Sequence, residues 1–296
     1  MESFNSFKQN TPEESSVENK ENSIESKIES NEAKVEVIRD IRDKYGILFI
    51  TCQPKIIFEK LGITEDTKWF REALGLPDNT DRLKVVHANE EPLPSSIDES
   101  GVIIGGSVHS VYEDSPWIRN LEEFIRTVGL SGKPMLGVCF GHQLIAQAMG
   151  GKVERGDKGR ELGIANINLT EKGQNDSLFE LIGKDFESAT SHTDVVTRLP
   201  QIGRTAVLAS NDRYSNQALS IGENIRTTQF HPEIDQDIIM KVVEARKQAL
   251  MEEGQIQNEE EFRSYMERIR TSDIDNIGKQ IIRNFDKNFI LKYAVK

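Results

Sequence analysis

Three short apolar runs constrain the fold of this chain more than any other feature: Tyr45–Thr51, which carries Gly46-Ile47-Leu48-Phe49-Ile50, then Glu99–Ile104 and Lys133–Val138. Their apolar residues are consecutive, not alternating, which marks strands buried on both faces, as in a parallel sheet. Leu83–His87 is a further strand. Helical patterns lie between and after these runs. Thr67–Leu74 places Trp69, Phe70, Ala73 and Leu74 on one face and stops at Gly75 and Pro77. Ser115-Pro116 supplies an N-cap and a first-turn proline for a helix through Ile118, Leu121, Phe124, Ile125 and Val128. Phe140–Met149 forms a third helix, stopped by Gly150-Gly151. Strands alternating with helices predict an α/β fold, with a mostly parallel central sheet covered by helices.

Beyond Lys152 the pattern changes. Short runs at Ile164–Leu169, Val195–Arg198, Thr205–Ser210 and Gln217–Ile221 suit an antiparallel edge that extends the sheet. After Pro232 the reading is helical, with Ile238, Ile239, Val242, Val243 and Ala249 on one face and a stop at Gly254. Asn258 followed by Glu261 resembles a capping arrangement, and a last helix from about Asp273 carries Ile274, Ile277, Ile281, Ile282 and Phe285. At the other end, residues 1–35 are rich in Glu, Ser, Asn and Lys and cannot bury enough surface to fold alone. The expected organisation is a disordered tail over 1–35, one α/β domain over 36–235 entered through a helical stretch at Val35, Ile38 and Ile41, and a helical C-terminal extension over 236–296 packed on the same domain.

Composition excludes several classes of function. A formal net charge of −12 argues against nucleic acid as a partner, because phosphate binding needs clustered Lys and Arg. No apolar run is long enough to span a bilayer and no basic-then-apolar leader opens the chain, so the expectation is a cytoplasmic protein with no membrane partner. The only two cysteines, Cys52 and Cys139, rule out a disulfide framework and a Cys-rich zinc site, and no metal is expected. There is no Gly-rich phosphate loop of the Walker or dinucleotide type, and no cofactor is implied.

The chemistry concentrates at Gly137-Val138-Cys139-Phe140-Gly141, a G-x-C-x-G between a strand and a helix. It is the thiol counterpart of the nucleophile elbow: the glycines permit a tight turn that presents the sulfur at the carboxyl end of a strand and the amino end of a helix. The helix dipole there favours thiolate. A lone cysteine more often simply packs, and Cys52 is read that way; the flanking glycines have no such explanation at Cys139. A thiolate needs a base that can also protonate a leaving group, and Gln229-Phe230-His231-Pro232-Glu233 offers His231 with a carboxylate two residues on to fix its tautomer. By itself His-Pro-Glu reads as a surface turn; with the cysteine elbow it becomes a catalytic candidate. His142, on the helix after the cysteine, is read as structural, and His87 and His109 as ordinary.

Gly-Val-Cys-Phe-Gly-His-Gln followed by a distant His-Pro-Glu resembles the class I glutamine amidotransferases, over about Tyr45–Pro232. Trp69–Gly75, Ser107–Asp114 and Ser191-His192-Thr193-Asp194 are similar to the stand-alone, GMP-synthase-like glutaminases of that family. The resemblance implies a flavodoxin-like class I glutaminase fold and a triad of Cys139, His231 and Glu233. It further implies an oxyanion hole from the backbone N–H groups of Gly106 and Phe140, and substrate contacts from Gln143, Ser191 and His192. Gly105-Gly106 also reads as a plain turn after a strand. The implied reaction releases ammonia from the γ-amide of glutamine through a cysteine thioester, with a separate synthetase subunit as the ammonia acceptor. A hydrolase acting alone on γ-glutamyl amides or peptides is the alternative reading, and a non-catalytic binding module that kept the fold is a third, which the intact triad disfavours.

Overall fold

A computed structural model of the chain describes residues 45–295, so the expected N-terminal tail and the helical stretch at Val35–Ile41 lie outside the described residues. The apolar runs form β1 (Ile47–Thr51), β3 (Gly101–Ile104) and β4 (Met135–Val138), with every residue buried. With β2 (Leu83–His87) they make a parallel array in the order β2-β1-β3-β4.

Alternation of side chains along these strands assigns the two faces. Ile47, Phe49, Ile103, Leu136 and Val138 point to one side, against Phe70, Ala73 and Leu74 of α2 (Asp66–Leu74) and Ile281, Ile282 and Phe285 of α8 (Ile274–Phe285). Leu48, Ile50, Val102, Ile104 and Met135 point to the other. They meet Ile118, Leu121, Ile125 and Val128 of α3 (Pro116–Ser131), and Leu144 and Ile145 of α4 (Phe140–Ala148). Each such side chain contributes roughly 1.5–3 kcal/mol when fully buried.

The sheet continues past β4 into the expected antiparallel extension, with the runs Ile164–Leu169, Thr205–Ser210 and Gln217–Ile221 in it, but it gets there through a parallel strand that the sequence did not reveal. β11 (Ile225–Thr228) pairs with β4 in parallel, Thr228 opposite Val138. Then β10 (Ala218–Ile221), β9 (Thr205–Ser210), β6 (Glu161–Leu169) and β7 (Asp185–His192) follow in antiparallel order, completing nine strands. Neither β7 nor β11 was anticipated. β7 carries Ser188, Thr190 and Ser191 among its residues and β11 reads Ile-Arg-Thr-Thr, so neither shows an apolar run. Val195–Arg198 departs from the expectation too: it lies in β8 (Asp194–Arg198), which pairs only with β5 (Lys152–Arg155) as a separate two-stranded sheet.

The helix expected after Pro232 is broken. It forms α5 (Gln236–Ala245) and α6 (Lys247–Glu252), parted at Arg246, whose φ of −111° and ψ of 11° leave the helical region. α5 packs Ile238, Ile239, Val242 and Val243 against Leu162 and Ile164 of β6 and against Phe58 of α1 (Lys55–Leu61), in a third apolar cluster that includes Phe262 and Ile269 of α7 (Glu259–Thr271). The Asn258 cap forms: its Oδ1 accepts from the N–H groups of Glu260 and Glu261 at 3.1 and 3.0 Å.

Two contacts fasten the C-terminal helices to the sheet. Gly278 of α8 lies so close to the Pro232 carbonyl that a Cβ would stand 2.1 Å from its oxygen. Beyond α8, Asp286 forms a buried ion pair with Arg82 just before β2, and Arg82 Nε also donates to the Tyr45 carbonyl at 3.3 Å. Among the described residues no helix is long and apolar enough to cross a membrane.

Gly278→Ala is expected to cost about 1–3 kcal/mol through forced displacement of the Pro232 turn, read as a lowered urea midpoint. Asp286→Ala, which strands a buried guanidinium, should cost about 3–5 kcal/mol, whereas Arg82→Met combined with Asp286→Leu should recover most of that loss. Equilibrium unfolding of the three variants checks both.

Candidate active site

Because β1, β3, β4 and β11 run in the same direction, their carboxyl ends share one edge, and Thr51, Gly105, Cys139 and Gln229 all lie there. Cys139 is the turn between β4 and α4, with φ of 52° and ψ of −100°, a backbone conformation that L residues rarely adopt. Close backbone approach forces that turn. A Cβ on Gly141 would stand 2.3 Å from the Ile104 carbonyl oxygen, and one on Gly137 would stand 2.6 Å from the Gly141 backbone. Such strain costs about 1–3 kcal/mol and persists only where the surroundings over-determine it.

β11 brings the histidine to the cysteine. The Cys139 N–H donates to the Thr228 carbonyl at 2.8 Å, and three residues on His231 donates its N–H to Ala189 of β7 at 2.8 Å. His231 Nδ1 lies 2.7 Å from Glu233 Oε1, which leaves Nε2 as the ring nitrogen for a reaction partner. Burial acts to lower the imidazole pKa, but the Glu233 carboxylate, the Cys139 sulfur beside it and the hydrogen bonds to both outweigh burial and hold it well above the usual value. The surroundings thus favour the charged imidazolium more than water would.

Of the two expected oxyanion donors, Gly106 lies beside both Cys139 and His231, and Phe140 directly follows Cys139. A Cβ on Gly106 would lie 3.0 Å from His231 Cε1 and 3.8 Å from Cys139 Cβ, so a larger residue there would crowd the imidazole. Neither the Gly106 nor the Phe140 N–H is bonded to another backbone or side-chain group among the described residues, and Phe140 opens α4, where helix N–H groups have no internal partner. Gly105, by contrast, is spent on structure: its N–H donates to Ile50 and its carbonyl accepts from Gly141.

Gln143, Ser191 and His192 all line the cleft of about 170 Å³ that contains Cys139, yet they serve it differently. Gln143 gives its amide hydrogens to the Asp194 carbonyl at 2.8 Å and to Gln229 Oε1 at 3.1 Å, leaving its own oxygen as the group open to a ligand. The Ser191 carbonyl lies 3.8 Å from the Cys139 sulfur. The His192 ring is turned away from the thiol, with Nδ1 3.2 Å from the Asp194 carbonyl and Nε2 3.0 Å from the buried Glu161. Hydrogen bonds from Asn211 and Gln217 complete the surroundings of Glu161, and with His192 they overcome its burial and lower its pKa.

Three further residues belong to the site although sequence reasoning did not single them out. Gln229 Nε2 approaches the Cys139 sulfur at 3.8 Å, which only the β4–β11 pairing arranges. Asp194 accepts from Ser110 at 2.5 Å and Tyr112 at 3.0 Å through its carboxylate while its carbonyl takes Gln143, joining three separate segments. Asp66, at the start of α2, accepts from Thr51 Oγ1 at 2.8 Å; burial first, and then the nearby Glu233 charge, raise its pKa to about 7. Asp66 Oδ1 and Glu233 Oε2 are both buried without a hydrogen bond among the described residues. Nothing in the spacing of a single Asp signals such a position.

The other candidates settle simply. His142 is fully buried with Nδ1 2.7 Å from Thr227 Oγ1, and burial together with the nearby His192 pushes its pKa down to about 3, so it is a neutral structural histidine. Cys52 is buried, and burial lifts its thiol pKa well above the usual value. Among the described residues no group of three or more His, Cys, Asp or Glu side chains is arranged to hold a metal ion.

The family model of the class-I glutamine amidotransferases matches residues 78–239, more than half of the chain. Gamma-glutamyl peptidase 4 of Arabidopsis thaliana is 36% identical over 146 residues, which is 49% of this chain and 57% of the peptidase. The glutamine-hydrolyzing GMP synthase of Petrotoga mobilis is 38% identical over 136 residues, 45% of this chain and 24% of the synthase. The matched region thus spans little over half of the peptidase and about a quarter of the synthase. In fold, a glutamine amidotransferase from Thermotoga maritima superposes with a TM-score of 0.65 at 18% identity, over 83% of this chain and 98% of that one. The family match, laid over a parallel sheet that carries a cysteine elbow at its carboxyl edge, shows that the chain belongs to the class-I glutamine amidotransferase family of enzymes.

Proposed function

We propose that the protein hydrolyses the γ-amide bond of a γ-glutamyl compound through a thioester on Cys139, with His231 and Glu233 completing a triad. The observation that carries this reading is the pairing of a cysteine at φ 52° with a histidine whose Nδ1 is fixed by a carboxylate 2.7 Å away. The Cys139 thiolate attacks the γ-carbonyl carbon, and the N–H groups of Gly106 and Phe140 receive the oxyanion. The His231 imidazolium gives its proton to the leaving nitrogen, whose bond to carbon breaks. The neutral imidazole then takes a proton from water as the hydroxide oxygen attacks the thioester carbon; the carbon–sulfur bond breaks, releasing glutamate and restoring the thiolate beside the imidazolium. Gln143 and the backbone at Ser191 and His192 hold the glutamyl portion, the His192 ring serving the wall of the cleft rather than the substrate.

Glutamine is the smallest such substrate, with ammonia as the second product and a separate synthetase chain as its acceptor. A γ-glutamyl peptide is the second candidate, favoured by the likeness to a gamma-glutamyl peptidase and by an apolar cleft wall of Ile57, Phe58, Leu61 and Val242 that departing ammonia would not need. Glutamate release from glutamine and from γ-glutamyl dipeptides, compared by kcat/KM, decides between them. The cytosol is the compartment that suits two buried, unpaired cysteines.

Asp66 fits this reading as a carboxyl whose proton is held more tightly than usual. With its pKa raised to about 7 it is neutral below that pH, where Glu233 is the negative carboxylate beside His231.

Cys139→Ala is expected to abolish glutamate release from every substrate while the melting temperature stays near that of the parent protein. Glu233→Gln should lower kcat by about 10²–10⁴-fold and move the histidine limb of the pH–rate profile to lower pH, since the charge that sustains the imidazolium is gone. Asp66 binds its proton more tightly folded, at about 7, than unfolded, at 3.8, so its contribution to stability falls as pH rises through that window and the full penalty stands above it. Asp66→Asn should therefore raise the melting temperature relative to the parent above pH 7, with the gap closing toward pH 4; a constant gap across that range would contradict it.

A further inference from the structure

The cleft that holds Cys139 is also lined by two arginines, Arg160 and Arg246, which the triad chemistry does not use. Arg160 immediately precedes Glu161, which pairs in register with His192 across β6 and β7; the Ser191 carbonyl next to it is 3.8 Å from the Cys139 sulfur. Arg160 thus stands just beyond the groups that touch the thiol. Arg246 sits at the break between α5 and α6, half-buried, one turn past Val242 of the apolar wall.

The charges around this pair do not balance. Glu253 faces both arginines, but its two oxygens are engaged by Arg160 Nε at 3.1 and 3.3 Å, and one of them also accepts from Gln255 at 2.9 Å. The Arg246 guanidinium has no hydrogen bond or ion pair among the described residues. Burial, and then the like charge of Arg160, disfavour its charged form, while Glu253 opposes them only in part. At this end of the cleft two guanidinium groups face one carboxylate, Glu253, while the carboxylates that line the cleft itself, Asp66, Asp194 and Glu233, belong to the surroundings of Cys139. A planar guanidinium with its donors unspent is the side chain best matched to a carboxylate.

We infer that Arg246, with Arg160 beside it, forms a subsite for the free α-carboxylate of the leaving group, so that the substrate class is a γ-glutamyl peptide with an unblocked C-terminus. This rests on the proposed hydrolysis of γ-glutamyl bonds and narrows it. In this arrangement the glutamyl half lies against Gln143 and Ser191, the side chain of the departing residue lies along Phe58 and Val242, and its carboxylate reaches Arg246. Glutamine has no atoms to place there.

The test compares a γ-glutamyl dipeptide with its C-terminal amide, which differs only in the charge at that end. Parent protein should prefer the free acid, and Arg246→Ala should cut the acid-to-amide ratio of kcat/KM by about 10- to 100-fold, carried mainly in KM, with Arg246→Lys recovering part of it. Equal losses for acid and amide, or a parent protein without preference between them, would overturn the subsite. The same comparison is read without turnover by calorimetric titration of Cys139→Ala protein, alone and combined with Arg246→Ala. If parent protein releases no glutamate from any γ-glutamyl compound, the hydrolytic reading fails; acid-selective binding lost with Arg246 would still uphold the subsite, and its absence would remove that too.

Discussion

The structure depends on how closely three backbone segments approach at the carboxyl edge of the sheet. The first turn of α4 presses on the end of β3, near enough that Gly141 cannot carry a Cβ, and β4 presses on α4 in the same way at Gly137. That squeeze leaves Cys139 no helical or extended conformation and holds it at φ 52°. The cost is offset by burial on both sheet faces, where Leu136 and Val138 pack toward α8 and Ile104 and Met135 toward α3 and α4. A strained turn of this kind can exist only inside a sheet that is already rigid.

Electrostatics then differentiates side chains that burial treats alike. His142 and His231 are both removed from solvent, yet the first is pushed down to about 3 and the second is raised. The difference is the partner: Thr227 offers His142 a neutral hydroxyl, while His231 has a carboxylate and a sulfur. Asp66 shows the converse for a carboxyl, since the hydroxyl of Thr51 does not compensate its burial and its pKa rises to about 7. Around one cleft the fold thus favours the charged form of one imidazole and the protonated form of one carboxyl, each set by burial and by what lies within hydrogen-bond reach.

The C-terminal helices do more than cover apolar surface. Gly278 of α8 packs on the Pro232 carbonyl, between His231 and Glu233, so the helix buttresses the turn that orients the imidazole. The break at Arg246 ends one wall of the cleft and places a cation there. Sheet, histidine turn and cleft mouth are linked through this extension, most of which lies beyond the family match ending at residue 239.

The sequence by itself determined the parallel half of the sheet, its helices and the pair of motifs around Cys139 and His231, because these rest on local patterns: continuous apolar runs, capped amphipathic helices, glycines flanking a cysteine. It did not reveal β7 or β11, whose residues are largely polar and are buried only because neighbours cover them. For the same reason it ran one helix through Arg246, assigned Val195–Arg198 to the main sheet, and passed over Gln229, Asp194 and Asp66. Their roles come from contacts such as Thr228 beside Val138 and Thr51 beside Asp66, made across strands and between segments far apart in the chain. Local sequence encodes the periodicity of an element; which strand becomes its neighbour, and hence which side chains share a cleft, is decided only when the sheet assembles.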